Sequence, residues 1–316
     1  DVASLPSTYK GYFVQSDETR FFEKGSVNYH LTVLSYLADF YFFTEALWIQ
    51  KWLKENFDKD AWYVPNGLDT DIFYPVKPLE KKVKPRILLE GPIDIPYKGM
   101  KEAFEIVGNL EEDIEVWCIS SAGQPKPEWR CDKFFEKVKM EEMKSIYSSC
   151  DILVKTSKVE GFFGPPLEMM SCGGVPLVFK VSGYDEYIID GKNALVADSG
   201  DVTTATRLLS ELINDNNKFN EIKENGQETV DFWTWDRSID HLELYIKEIK
   251  EKKENGNNII NSTLNFTYYE LLSRNEQVNI ENSIDLNMYE ALKKRPKLFN
   301  IIRKLYIMAK KLKGKA

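Results

Sequence analysis

Apolar and polar positions change period several times along the chain. Residues 9–15 form a short β-rich run, Tyr-Lys-Gly-Tyr-Phe-Val-Gln, which ends at polar Ser16, Asp17 and Glu18 and reads as a strand. The next stretch is densely apolar, and its pattern predicts one helix over 27–43 and a second over 45–56. Asp39 and Glu45 interrupt the most apolar window, 31–49, so it reads as buried or interfacial helix rather than a membrane span. Val64-Pro65-Asn66-Gly67 is turn chemistry, because Asn-Gly tolerates positive φ and Pro fixes the approach. Residues 75–85, with three prolines and five Lys/Glu, read as an exposed linker. Strand and helix then alternate: strands over 86–89, 114–119, 151–156 and 177–181, helices over 100–110, 140–149, 167–172 and 202–213. That alternation predicts βαβ units and an α/β parallel sheet with helices on both faces. A long helix over 234–252 closes the pattern, and the polar, Asn-rich segment 253–284 reads as a loosely ordered linker.

Composition narrows the function classes. A chain of 316 residues suggests roughly two domains at ~100–200 residues each. The net charge of −8 argues against a nucleic-acid partner. The charge is uneven, however: residues 285–316 hold ten Lys/Arg against two Asp/Glu. Within them Leu298, Ile302, Leu305, Ala309 and Leu312 recur at helical spacing, with Lys297, Arg303, Lys304, Lys310, Lys311 and Lys313 on other faces. This basic amphipathic helix fits an anionic membrane surface or packing of its apolar stripe on protein, and the pattern leaves both open. Four cysteines without a C-x-x-C pair, and only two histidines, point to reduced thiols and no metal centre. The chain opens on a mid-domain element and carries no leader pattern, so part of an N-terminal domain is expected to be missing, and the compartment is expected to be cytoplasmic.

The candidate chemistry lies in Glu160-Gly161-Phe162-Phe163-Gly164-Pro165-Pro166-Leu167-Glu168. A strand ends in a glycine-bearing loop that feeds a helix, with proline in the first turn where a missing N–H costs nothing. A helix N-terminus suits a phosphate. The prolines cannot donate, so the expected donors are the N–H groups of Phe162, Phe163 and Gly164. Glu160 and Glu168 bracket the loop. Beside a phosphate they are electrostatically costly unless they accept hydrogen bonds from hydroxyls, and sugars and riboses supply these. A first-turn carboxylate at 168 would add only ~0.3–1 kcal/mol to its helix.

The same segment, followed by Met-Met-Ser-Cys-Gly-Gly-Val-Pro, resembles the donor-site signature of family 4 glycosyltransferases of the GT-B fold. Val64-Pro65-Asn66-Gly67-Leu68-Asp69, Lys98-Gly99, Cys150-Asp151-Ile152, Asp190-Gly191 and Trp233-Thr234-Trp235 are similar to further motifs of that family, in its order, over most of residues 9–250. More narrowly, residues 12–18 look like rhamnosyltransferases of bacterial surface-glycan synthesis. The resemblance implies a GT-B-like α/β fold. Residues 1–75 would be an incomplete N-terminal, acceptor-side Rossmann-like domain and 76–233 the donor-binding one. A crossover helix over 234–252 and a helical tail over 285–316 would follow.

It also implies a retaining, metal-independent transfer from a nucleotide diphosphate sugar to a glycan or lipid-linked acceptor, with no cofactor, by a cytoplasmic enzyme peripheral at the inner face of the membrane. Glu168 would take the ribose hydroxyls, Glu160 the transferred sugar, and Lys98 the diphosphate. Gly91, Phe162, Phe163 and Gly164 would lie against the donor, and Gln15, Asp17 and Glu18 are acceptor-side candidates. The family's Gly-Arg is Gly91-Pro92 here, its second loop glycine is displaced by Phe163, and its N-domain histidine is replaced by Gln15. Asp69-Thr70-Asp71 spells a metal-binding D-x-D but falls in the interdomain segment and reads as structural. Rival readings are a non-catalytic sugar-nucleotide-binding module and a GT-B-fold epimerase or phosphorylase.

Overall fold

The computed structural model describes residues 9–38 and 40–254. The Asn-rich segment from 255 onward and the basic helix expected at 285–316 lie outside the described residues. The chain divides into two compact units. Described residues of the first are 9–10, 18–38 and 40; they include a 3-10 turn, Glu18–Phe21, and α1, Val27–Leu37. Ser26 caps α1, its hydroxyl accepting the Tyr29 N–H at 3.2 Å.

Described residues of the second unit are 11–17 and 41–254, and they contain two parallel sheets. The smaller joins β1 (Gly11–Val14), β2 (Tyr41–Thr44) and β3 (Ala61–Tyr63) in that order. Here the helix expected over 27–43 is corrected. It stops at Leu37, Ala38 turns to an extended ψ of 158°, and Tyr-Phe-Phe-Thr becomes the central strand. A continuous apolar run carries no period to separate helix from strand, and the β-favouring aromatics decide for the sheet. The second expected helix is α2, Leu47–Phe57.

The larger sheet has the order β6-β5-β4-β7-β8-β9, with β4 (Arg86–Glu90), β5 (Glu115–Ser120), β6 (Lys133–Glu136), β7 (Ile152–Lys155), β8 (Val175–Phe179) and β9 (Leu195–Ala197), all parallel. Strand alternation divides its core. Ile87, Leu89, Ile152, Val154, Leu177 and Phe179 pack with α3 (Met100–Gly108) and α6 (Val202–Asn214), while Leu88, Leu153 and Val178 pack with α4 (Met140–Tyr147) and α5 (Gly164–Ser171). Buried Arg86 is neutralised by Glu115 at 2.9 Å and lies 4.1 Å over the Trp117 ring. The helix α7, Asn216–Val230, was not expected; its polar sequence hides a sparse stripe of Ile222, Gly226 and Val230, and Asp215 caps it.

The closing helix is α8, Trp235–Glu254, which ends two residues later than expected. It returns to the smaller sheet: Tyr245 donates to the Phe42 carbonyl at 2.8 Å, its ring stacks on Trp62, and the His241 ring meets the Tyr63 carbonyl at 3.0 Å. An α/β architecture with two parallel sheets is therefore present, as the strand–helix alternation predicts.

Candidate active site

In the larger sheet the winding direction reverses between β4 and β7, and crevices for ligands open above the carboxyl ends of strands at such a point. The loop after β7 carries Glu160 and leads into α5. Glu160 meets Lys98, the last residue of a 3-10 turn (Pro96–Lys98), with Nζ at 2.8 and 3.0 Å from the two carboxylate oxygens. Gly99, which follows, has φ +70° and packs so closely on the Thr156 carbonyl that a β-carbon would stand 1.9 Å from it. Only glycine brings Lys98 to this loop. The sequence reading sent Lys98 and Glu160 to different parts of the donor; the structure joins them as an ion pair.

The loop's backbone donors differ from expectation in a second way. The Phe162 N–H donates to the Glu45 carboxylate at 3.1 Å, and the Gly164 N–H to the Phe162 carbonyl at 3.2 Å. Phe163 has no exposed surface; its side chain sits in the core, and the Tyr187 hydroxyl donates to its carbonyl. The Phe162 ring lies 5.6 and 5.5 Å from Tyr187 and Trp233. Pro165 and Pro166 occupy the first turn of α5, as expected.

Glu45, between β2 and α2, is the residue that sequence reasoning missed. It is buried, accepts from Asn66 at 2.8 Å and Gln15 at 3.5 Å as well as from Phe162, and burial raises its pKa. Trp48 donates to the Gly161 carbonyl at 2.9 Å, and Glu186 accepts the Leu47 N–H at 3.0 Å, capping α2 in place of Ala46. Gln15 therefore stands beside the donor loop through Glu45. Asp17 is half-buried, whereas Glu18 opens the 3-10 turn and its N–H donates to the Tyr36 hydroxyl at 3.0 Å. We expect Glu45→Ala to lower stability by ~2–3 kcal/mol, since three part-buried donors lose their acceptor, and Glu45→Gln by under ~1 kcal/mol after an Asn66 amide flip. Urea denaturation of both variants measures this.

Glu168 lies one turn into α5, not in its first turn, and it is half-buried beside the Tyr147 hydroxyl. Burial first, then repulsion from Glu90, pushes its pKa up to about 7, against pulls from Tyr147 and Lys155. The expectation of a first-turn carboxylate that adds only ~0.3–1 kcal/mol to its helix is corrected accordingly. Gly91, with φ +151°, follows β4, and its N–H donates to the Ile119 carbonyl at 3.1 Å. Lys155, at the end of β7, is 3% exposed, and its Nζ donates to the Glu90 carbonyl at 2.8 Å and to the Glu90 carboxylate. The Asp69 carboxylate accepts the N–H groups of Asp71 and Ile72 at 3.0 and 3.2 Å, a turn role for the D-x-D sequence. Among the described residues no helix is long and apolar enough to cross a membrane.

With this geometry in place, similarity to known proteins becomes informative. Residues 131–229, which include the loop and both glutamates, match the family described as glycosyl transferases group 1. The chain is 25% identical over 189 residues to an MMP alpha-(1->4)-mannosyltransferase of Mycolicibacterium hassiacum, covering 54% of this chain and 44% of that protein. It is 24% identical over 221 residues to an uncharacterized glycosyltransferase of Methanocaldococcus jannaschii, covering 65% and 58%. It thus spans about half the length of these relatives. Among solved structures, sucrose-phosphate synthase from Thermosynechococcus elongatus aligns with TM-score 0.65 at 15% identity, covering 76% of this chain and 68% of that one. HepE of Anabaena, in complex with UDP-glucose, aligns with TM-score 0.64 at 15% identity, covering 76% and 72%. The fold shared with these enzymes is GT-B, and residues 131–229 carry the glycosyl transferases group 1 domain.

Proposed function

We propose that the chain is the donor-binding part of a retaining, metal-independent family 4 glycosyltransferase. Its substrates would be a nucleotide diphosphate sugar and a glycan or lipid-linked acceptor, with a role in rhamnose-containing surface-polysaccharide synthesis. The carrying observation is the pair of glutamates, one bound to Lys98 in the loop and one half-buried in α5, both following β7 at the switch point between β4 and β7. Glu168, once ionised, accepts from ribose hydroxyls. Glu160 orients the sugar. Lys98 neutralises the leaving diphosphate, which requires that it loosen from Glu160, and a diphosphate carries enough charge to compete. The basic segment 285–316 would bring the enzyme to an anionic membrane surface on the cytoplasmic side.

The test begins with a thermal-shift screen of UDP-, GDP- and dTDP-sugars, followed by donor hydrolysis and transfer assays with and without EDTA. The anomeric configuration of the product reports retention. Glu160→Gln is expected to keep or tighten affinity for free nucleoside diphosphate, because Lys98 is released from its carboxylate, and to weaken the intact donor roughly 10-fold, about 1.4 kcal/mol. Equal losses for both ligands would defeat this division of the donor. Tight donor binding without turnover in any assay would favour a sugar-nucleotide-binding module instead, a reading that the absence of an arginine at Pro92 supports.

A further inference from the structure

The switch point of the larger sheet holds a charged group to which no role has yet been given. The paired registers Leu89↔Val154 place the last residues of β4 and β7, Glu90 and Lys155, side by side. By strand alternation both point to the α5 face, where Glu168 feels the charge of each. The three residues before Lys155 are Ile152, Leu153 and Val154, all buried. An apolar side chain would continue that packing, whereas a buried ammonium must recover its lost hydration from fixed partners. Glu90 supplies them, through its carbonyl and its carboxylate.

Three further features lie around Lys155. Gly91 has no side chain; a β-carbon there would stand 3.4 Å from Nζ and 3.1 Å from the Met100 sulfur, so a larger residue would crowd the ammonium. Pro92 brings neither charge nor N–H. Two residues past Lys155, the Ser157 hydroxyl is fully buried with no hydrogen-bond partner, the mark of a polar site built for more than its own side chains.

We propose that Lys155 is a diphosphate-binding residue, its ammonium keeping the Glu90 carbonyl and exchanging the Glu90 carboxylate for a phosphoryl oxygen of the nucleotide. This rests on the nucleotide-sugar reading above and adds a cation to it at a position where the strand pattern calls for an apolar residue. Glu168, on the ribose hydroxyls, and Lys155, beside it at the strand end, then read adjoining parts of one nucleoside diphosphate. Glu90 holds the ammonium in place when the site has no ligand.

The experiment is titration calorimetry on the full chain with UDP, UMP and uridine, with GDP, GMP and guanosine, and with dTDP, dTMP and thymidine at fixed salt. The variants are Lys155→Met, Glu90→Gln and the double substitution. For the nucleotide that the unsubstituted chain binds, Lys155→Met should weaken the diphosphate at least ~10-fold and the nucleoside by clearly less, as loss of a charge-paired contact requires. Glu90→Gln should tighten the diphosphate severalfold, because its competitor for the ammonium is gone. The double variant, which removes the Glu90 charge together with the ammonium that pairs it, should lose the diphosphate as Lys155→Met does and melt no lower than the unsubstituted chain. Unchanged diphosphate affinity in Lys155→Met, or equal loss of nucleoside and diphosphate in the double variant, overturns the proposal. Failure of the unsubstituted chain to bind UDP, GDP or dTDP in the same titration overturns instead the nucleotide reading beneath it.

Discussion

Glu168→Gln should weaken nucleoside diphosphate binding roughly 10- to 100-fold at pH 8 and, in the same protein without ligand, raise the melting temperature. The two effects have one cause. The carboxyl is half-buried beside Glu90, so its folded-state pKa lies at about 7 against 4.5 for an ordinary glutamate. A raised carboxyl pKa means that the folded state holds the proton more tightly than the unfolded chain does. Stability is then full below pH 4.5 and is lost as pH rises to about 7, amounting to as much as ~3 kcal/mol. Gln has no proton to lose, so the variant should match the unsubstituted protein near pH 4.5 and exceed it by several degrees at pH 8. Binding should follow the opposite course. Ribose hydroxyls need the ionised carboxylate as acceptor, so nucleotide affinity of the unsubstituted chain should rise between pH 6 and 8, and that of Glu168→Gln should stay flat. Scanning calorimetry and titration across this range check both. Parallel melting curves for the two proteins at every pH would show that Glu168 is not a strained acid.

The fold was legible in the chain wherever local pattern and tertiary packing agree. Alternation of apolar strands with helices disclosed the sheet from Arg86 to Phe179, because both faces of those strands are covered and their runs are apolar throughout. It failed at Tyr41–Thr44, where a helix-length apolar run hides a strand, and at β3, β6 and β9, which have only three or four residues each. The loop bearing Glu160 was visible because its glycines and prolines have local reasons to be there. Glu45 was not, since its partner Phe162 lies 117 residues away and nothing local marks the contact. Lys155 did leave a signal: a lone charge closing the run Ile-Leu-Val, matched by Glu90 closing Arg-Ile-Leu-Leu. In a buried parallel strand such a charge requires a partner at the same strand end, and the pair could have been named from register alone.

The donor loop also depends on a glycine whose substitution should be costly for activity. A β-carbon on Gly161 would lie 1.9 Å from the Gln15 carbonyl oxygen and 2.8 Å from a Glu45 carboxylate oxygen. The carboxylate can turn aside, but the carbonyl follows β1, whose parallel pairing with β2 anchors it. Gly161→Ala must therefore push the loop back by an ångström or more. That shift breaks the Phe162 N–H contact with Glu45 and the Trp48 contact with the Gly161 carbonyl, and it carries Glu160 away from Lys98. A displacement of about 1 Å at a reacting group can cost ~100-fold in rate, so donor turnover should fall by at least that factor. Glu168 sits on α5, within the core of the larger sheet, so affinity for the nucleoside diphosphate should change by less than about threefold. Gly108→Ala, at the end of α3 with open space around the added methyl, is the matched control and should leave both quantities unchanged. Should Gly161→Ala turn over donor at the rate of that control, the loop is not held against Gln15, and Glu45 does not position it.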